Sequence, residues 1–112
     1  MYYPAVEPYA EISPEDLAER LRTGTGPALL DVREPWEHEL CAIAGSRLCP
    51  MEELPCRVDE VDRDREVVVY CHHGIRSAAV VQWLRGQGIA AVNLAGGIDA
   101  FALRVDPALR RY

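Results

Sequence analysis

Residues 66–84 have the sequence EVVVYCHHGIRSAAVVQWL, which predicts a strand, a short loop and a helix in succession. The run VVVY is β-branched and aromatic without polar alternation, which is typical of a strand buried on both faces of a parallel sheet. From Ser77 onward, apolar residues follow helical spacing on almost every side, which predicts a buried helix. Only residues 71–76 lie between these elements, and Gly74 gives their backbone the freedom to turn tightly.

Cys71 opens this loop and is the candidate nucleophile. The first amide hydrogens of a helix have no partner within it, and the loop amides can converge beside them. Because amide dipoles favour negative charge, this arrangement predicts a stabilised Cys71 thiolate that needs no general base. Arg76 would add a permanent cation at the rim, which would attract an anionic substrate. The candidate substrate-binding residues around the sulfur are Arg76, His72, His73, Gly74, Ile75 and Ser77.

Three separated motifs resemble those of the rhodanese-like sulfurtransferases. VVVYCHHGIRS resembles the active-site loop of that family, NLAGGIDAF its C-terminal signature, and LLDVREPWE its N-terminal signature. Together with ISPEDL, the motifs span about residues 11–101 in the order of the family. The resemblance implies that Cys71 takes a sulfur atom from a donor, holds it as a persulfide and passes it to an acceptor. It also implies a chiefly architectural role for the N-terminal motif.

Strands that alternate with helices along the chain predict an α/β fold, with a mostly parallel central sheet flanked by helices on both faces. A length of 112 residues predicts one domain. Within it we expect an extended N-terminal segment at residues 1–10 and a C-terminal tail at residues 106–112. Two further helices are predicted, from Pro14 to about Arg22 and over residues 35–40, where Trp36 should pack inward. The glycine pair at 96–97 is expected only to turn the chain into the last helix.

Composition limits the partners of the protein. The formal charge of −6 argues against nucleic acid, since a phosphate backbone requires a basic face. The sequence contains no lysine, which excludes a P-loop lysine and a Schiff-base lysine. The start MYYPAVEPYA has neither a basic region nor an apolar run, and no apolar stretch approaches the ~20 residues of a membrane span. We therefore expect a cytoplasmic protein with no membrane partner.

The four cysteines predict neither disulfides nor a metal site. Cytosolic thiols are kept reduced, and the sequence has no CxxC or other zinc-like spacing, so no metal or other cofactor is expected. Cys41, Cys49 and Cys56 lack the strand, loop and helix setting and should be small packed hydrophobic residues. Asp31 and Arg33, at the end of another predicted strand, are expected to be structural, with Asp31 accepting amide hydrogens and Arg33 pairing with a carboxylate.

These patterns predict a thiosulfate sulfurtransferase, with a small anionic sulfur donor and a thiol or cyanide as acceptor. Arg76 would hold the sulfonate end of the donor; the other interpretation is that it pairs with an acidic neighbour. One alternative function is a sulfur-relay module that exchanges persulfide with a protein donor or acceptor. Another is a cysteine phosphatase or arsenate reductase. Phosphatase loops place five residues between cysteine and arginine, whereas only four separate Cys71 from Arg76.

Overall fold

A computed structural model describes residues 10–24 and 26–112. The expected extended segment at residues 1–10 therefore lies outside the described residues except for Ala10. Five parallel strands form one sheet in the order β1-β5-β4-β2-β3. The strands are β1 (Glu11–Ile12), β2 (Ala28–Asp31), β3 (Arg47–Leu48), β4 (Val67–Tyr70) and β5 (Ala91–Leu94). The α-helices are α1 (Pro14–Arg22), α2 (Pro35–Leu40), α3 (Leu54–Arg57), α4 (Ile75–Gly86) and α5 (Gly97–Arg104), with 3₁₀ turns at Met51–Glu53 and Val58–Glu60.

The central strand β4 is buried on both faces, as its sequence predicts. Val67 and Val69 contribute to one core cluster, and Val68 and Tyr70 to the other. Side chains from α3 and α4 complete the first cluster, and side chains from α1 and α5 complete the second. Alternate residues of a strand point to opposite faces, so β4 contacts both helical layers. This arrangement confirms the predicted α/β fold with helices on both faces.

The parallel register brings the candidate site to one edge of the sheet. Asp31 of β2 is opposite Tyr70 of β4, and Val69 is opposite Asn93 of β5. The carboxyl ends of all three strands therefore meet at the same edge, where ligands bind in open α/β sheets. Cys71 directly follows β4 at this edge.

Two sequence expectations about packing are wrong. Helix α4 begins at Ile75 rather than at Ser77, and it is buried on one face only, through Ser77, Val80, Val81 and Leu84. Its other apolar residues, including Trp83, are exposed. Trp36 is 61% exposed, because Glu37 rather than Trp36 is the buried residue of the short helix α2.

Some local elements follow the sequence closely. Helix α1 is capped by the Ser13 side chain, which accepts a hydrogen bond from the Asp16 amide, and it has proline in its first turn. Strand β1, which has two residues, carries no sequence signal of its own and was not predicted. No helix in residues 10–24 and 26–112 combines the length and apolarity that crossing a bilayer requires.

Candidate active site

The sulfur of Cys71 lies inside a ring of hydrogen-bond donors. The backbone amides of Gly74 and Ser77 are 3.1 and 3.4 Å from Sγ, and the Ser77 hydroxyl is 3.3 Å away. The convergence of amides on this sulfur, which the sequence predicts, is therefore present. The residue is 1% exposed and packs in the core cluster of α4. Because the sulfur is buried, only a small or narrow substrate molecule can reach it.

The conformation of the loop depends on Gly74, which has a φ of +99° and precedes α4 as its N-cap. The left-handed conformation is one that glycine adopts without strain. It turns the chain so that the Gly74 amide and the Ser77 amide of α4 both face the Cys71 sulfur. Ile75 and Arg76 contribute two of these first-turn amides, which have no acceptor one turn back within the helix.

Asn93 is a residue of the site that sequence reasoning missed. It is 5% exposed in β5, and its side chain bonds to both Ser77 Oγ and the Gly74 carbonyl oxygen, at 2.5 and 3.1 Å. The available signal was a single polar residue within the buried strand AVNL. A buried amide requires partners, so its position beside the loop is informative.

The glycine pair at 96–97 does more than begin α5, which corrects the sequence expectation. A Cβ at Gly97 would lie 2.3 Å from the His72 carbonyl oxygen, so only glycine allows the loop to pack this closely. The amides of Ile98 and Asp99 donate to the carbonyl oxygens of Cys71 and His72, at 2.9 and 3.1 Å. These amides of α5 therefore hold the active-site loop in place.

Arg76 forms a two-pronged ion pair with Glu37 of α2. Its two terminal nitrogens are 2.9 and 3.0 Å from the two carboxylate oxygens, and its side chain is 38% exposed. Burial raises the pKa of Glu37, but hydrogen bonds from Arg76, the Glu34 backbone and Tyr112 outweigh it and lower this pKa to about 2. Pairing with an acidic neighbour, one of the two interpretations of Arg76, is thus what the structure shows. Binding of the donor by Arg76 stays a prediction.

The segment expected to be a C-terminal tail contributes Tyr112 to the site. The Tyr112 ring stacks on His72, with centroids 3.9 Å apart and planes 8° apart. Its hydroxyl accepts from Arg33 and donates to Glu37, both at 2.8 Å. Burial is the main reason that the pKa of Tyr112 is raised to about 12, and the phenol therefore stays protonated at neutral pH. The sequence RRY contained no periodic signal for this contact.

The two loop histidines differ in their surroundings. Burial and the neighbouring His73 lower the pKa of His72, so His72 is neutral at pH 7 and adds no cation to the rim. Its Nε2 is buried and has no hydrogen-bond partner among the described residues. The His73 side chain is 61% exposed.

His72, His73 and Asp99 form the one group of possible metal ligands in the described part of the chain. Their ligand atoms lie within 4.8 Å of one another. The two imidazole rings, however, face each other at 3.9 Å with planes 24° apart, so their in-plane lone pairs do not converge on one point. Asp99 is also paired with Arg111. This geometry is a poor fit to a metal ion.

Asp31 and Arg33 occupy a structural position beneath the site. Both are fully buried and form a two-pronged ion pair, and the Arg33 amide also donates to Asp31. Arg33 further donates to the Cys41 carbonyl oxygen at 2.6 Å. These contacts are consistent with the structural roles expected of this pair.

The remaining cysteines divide into two groups. Cys41 and Cys49 are buried, as expected of packed hydrophobic residues, and burial raises the pKa of Cys49. Cys56 is exposed, so the expectation that it packs is wrong. It lies in the short helix α3, whose buried residue is Leu54.

Cys71 lies among backbone amides at the carboxyl edge of a parallel sheet. This arrangement suits nucleophilic attack on a small anion through a covalent intermediate. The model of the rhodanese-like domain family matches residues 13–104. This chain therefore belongs to the rhodanese-like family, as its motifs predicted.

Individual relatives agree with this assignment. A protein named sulfurtransferase from Allochromatium vinosum is 40% identical over 93 residues, which cover 82% of this chain and 87% of that protein. The Rhodanese-like/PpiC domain-containing protein 12 of Arabidopsis thaliana, a chloroplastic protein, is 32% identical, and the match covers 95% of this chain but 38% of that protein. The crystal structure of a rhodanese-related protein from Thermoplasma volcanium has a TM-score of 0.80 at 36% identity and covers 87% of this chain and 94% of its own.

Proposed function

We propose that this protein is a thiosulfate sulfurtransferase in which Cys71 carries the transferred sulfur. The observation that carries the proposal is the convergence of the Gly74 and Ser77 amides on Cys71 Sγ. Family membership and the name of the Allochromatium relative support transfer of sulfur as the reaction class. The choice of thiosulfate rests on the small size of the loop and on the amide hydrogens that face Cys71 Sγ.

In the first half-reaction, the Cys71 thiolate attacks the outer sulfur of thiosulfate. A bond forms between Sγ and that sulfur while the S–S bond of the donor breaks, and sulfite leaves with the electron pair. The enzyme is left with a persulfide whose negative charge is on its outer sulfur. The amides of Ile75 and Arg76 would donate to this charge, as an oxyanion hole does.

In the second half-reaction, an acceptor removes the outer sulfur. Cyanide attacks it to give thiocyanate, and the Cys71 thiolate leaves as the S–S bond breaks. An acceptor thiolate would take the sulfur in the same way and become a persulfide. Transfer through a covalent enzyme form predicts ping-pong kinetics.

Arg76 is proposed to hold the sulfonate of the donor with the N–H groups that Glu37 does not use. Glu37 takes one hydrogen bond from each terminal nitrogen and fixes the orientation of the guanidinium group. Because Glu37 also offsets the charge of Arg76, the loop amides are expected to supply most of the attraction for the anion. The other loop residues are proposed to contact the bound anion or to donate hydrogen bonds to it; they are His72, His73, Gly74 and Ser77.

The proposed function is tested by the intact mass of the protein after incubation with thiosulfate. Wild type should gain one sulfur atom, a reductant should remove it, and cyanide should release it as thiocyanate. Cys71→Ser should gain none and should unfold at the same denaturant concentration as wild type. A Cys56→Ser control should gain sulfur normally, since this exposed cysteine lies outside the loop. Persulfide formation on the Cys71→Ser variant would overturn the assignment.

A sulfur-relay module is a second candidate function, favoured by the apolar surface at the rim. Ile75, between two loop residues, is 80% exposed, and Trp36 beside Glu37 is 61% exposed. Contiguous apolar patches mark surfaces that contact a protein, and under this alternative these two side chains would belong to such a patch. Under this alternative, Cys71 becomes persulfidated from a protein donor, while turnover of free thiosulfate is negligible.

Phosphatase chemistry is the less favoured alternative. Four residues between Cys71 and Arg76 form a shorter ring of amides than the phosphatase loop, which suits one sulfur atom better than a phosphate group. A phosphoester assay on the same preparation separates the two activities.

A further inference from the structure

The Ser77 hydroxyl lies between two groups that can both accept its hydrogen. Ser77 Oγ is 2.5 Å from Asn93 Oδ1 and 3.3 Å from Cys71 Sγ. A hydroxyl has one hydrogen to donate, so it can serve only one acceptor at a time. Ser77 is fully buried and Asn93 is 5% exposed, so bulk water does not replace a missing partner.

The orientation of Asn93 is fixed by its other hydrogen bond. Asn93 Nδ2 donates to the Gly74 carbonyl oxygen at 3.1 Å. Exchanging the amide oxygen and nitrogen would place two acceptors against each other at Gly74, so Oδ1 must face Ser77. Asn93, the only asparagine in the sequence, thus presents a fixed acceptor to the hydroxyl.

The preferred direction of the Ser77 hydroxyl changes with the chemical state of Cys71. In the thiol, Sγ is a neutral and weak acceptor, so the hydroxyl donates preferentially to Asn93 Oδ1. In the thiolate, Sγ has lost its hydrogen and becomes an anionic acceptor, which competes with Asn93 for the hydroxyl. In the persulfide the charge lies on the outer sulfur and Sγ is neutral, so the hydroxyl returns to Asn93.

We propose that Asn93 is a positioning residue for sulfur transfer, which acts on Cys71 through the Ser77 hydroxyl. By competing for the hydroxyl, Asn93 withholds part of the stabilisation of the thiolate. In the persulfide, Asn93 again accepts the hydrogen bond from the Ser77 hydroxyl, which favours the movement of charge from Sγ to the outer sulfur. This inference rests on the proposed function, because it concerns the same nucleophile and the same covalent form.

A double-mutant cycle tests the inference. Four proteins are compared in a Cys56→Ser background, which removes the exposed cysteine: the parent, Asn93→Ala, Ser77→Ala and the double variant. The measurement is the rate constant for gain of one sulfur atom at saturating thiosulfate, by rapid quenching and intact mass. Asn93→Ala should slow persulfide formation about fivefold when Ser77 is present, the effect of roughly one hydrogen bond. It should change the rate less than about twofold when Ser77 is absent, since no hydroxyl remains to be positioned.

The contrary result is an equal slowing by Asn93→Ala in both backgrounds. That outcome would show that Asn93 acts through its bond to the Gly74 carbonyl oxygen and merely supports the loop, and it would overturn the inference. If Asn93→Ala does not fold, Asn93→Val replaces it in the same cycle, because valine suits a strand and also lacks the acceptor. A parent protein that gains no sulfur overturns the proposed function and this inference together. A parent that gains sulfur with equal factors in the cycle overturns this inference alone.

Discussion

Replacing Glu37 with glutamine should remove a defined part of the acid sensitivity of the fold. The Glu37 carboxylate is buried. It accepts hydrogen bonds from both terminal nitrogens of Arg76, from the Tyr112 hydroxyl and from the backbone amide of Glu34. Protonation of Glu37 would therefore break the pair that joins α2 to the start of α4. Glu37→Gln keeps the size of the side chain and removes the charge.

The magnitude follows from the difference between the folded and unfolded pKa of Glu37. Its pKa falls from 4.5 to about 2 in the folded protein. At roughly 1.4 kcal/mol per pKa unit, the ionised carboxylate contributes about 3 kcal/mol to the free energy of unfolding. Because the folded pKa is the lower one, this contribution is fully present above about pH 5 and is lost as the pH falls from 4.5 toward 2.

The assay is urea unfolding at a series of pH values from neutral down to about pH 3. Wild type should lose stability below about pH 5 more steeply than Glu37→Gln, and the gap between the two curves should narrow steadily toward about pH 3. Other carboxylates contribute equally to both proteins, so the difference between the curves isolates Glu37. Glu39→Gln, a change of an exposed carboxylate on the same helix, is the matched control and should follow wild type. Parallel curves for wild type and Glu37→Gln would refute the reasoning.

Three further substitutions test the loop and its surroundings. Arg76→Ala should raise KM for thiosulfate with a smaller effect on kcat, because it removes the rim cation; an unchanged KM in steady-state assays would assign donor binding to the amides alone. Gly97→Ala should lower the free energy of unfolding by more than about 2 kcal/mol, because its Cβ would lie 2.3 Å from a loop carbonyl oxygen. Gly45→Ala, also at positive φ but with no atom within 4 Å of the new Cβ, should cost less in the same denaturation assay. Tyr112→Phe should cost about 1 to 2 kcal/mol in urea unfolding, since it removes the hydroxyl bonds to Arg33 and Glu37 while the ring still stacks; a stability equal to wild type would show that these bonds contribute nothing.

The fold was predictable because its signals are local. The run VVVY specifies a doubly buried strand through its composition, and the prolines and Ser13 mark the starts of helices within a residue or two. The amide ring was also predictable, since the spacing from Cys71 to Ser77 places a glycine turn and a helix start beside the sulfur. Each of these features depends on residues close together in the chain.

The features that were missed depend on contacts between distant segments. Tyr112 meets His72 across 40 residues of sequence, and Asn93 of β5 meets Ser77 of α4 through packing of the helix on the sheet. Trp36 is exposed because Glu37, on another side of the six-residue helix α2, is the residue that faces Arg76. Hydrophobic periodicity cannot predict the buried side of so short a helix. Hydrophobic patterns report burial averaged over an element, whereas these contacts depend on the tertiary arrangement.

Two helix starts meet at the active-site loop, and their amides have different acceptors. Ser77 in the first turn of α4 donates to Cys71 Sγ, whereas Ile98 in the first turn of α5 donates to the Cys71 carbonyl oxygen. The same residue is thus held by α5 through its backbone and contacted by α4 through its side chain. Widening the ring to admit a larger anion would require breaking the bonds to α5, at a cost of about 1 kcal/mol for each buried hydrogen bond. Resistance to widening, rather than charge alone, is therefore expected to restrict this site to anions that present a single sulfur atom.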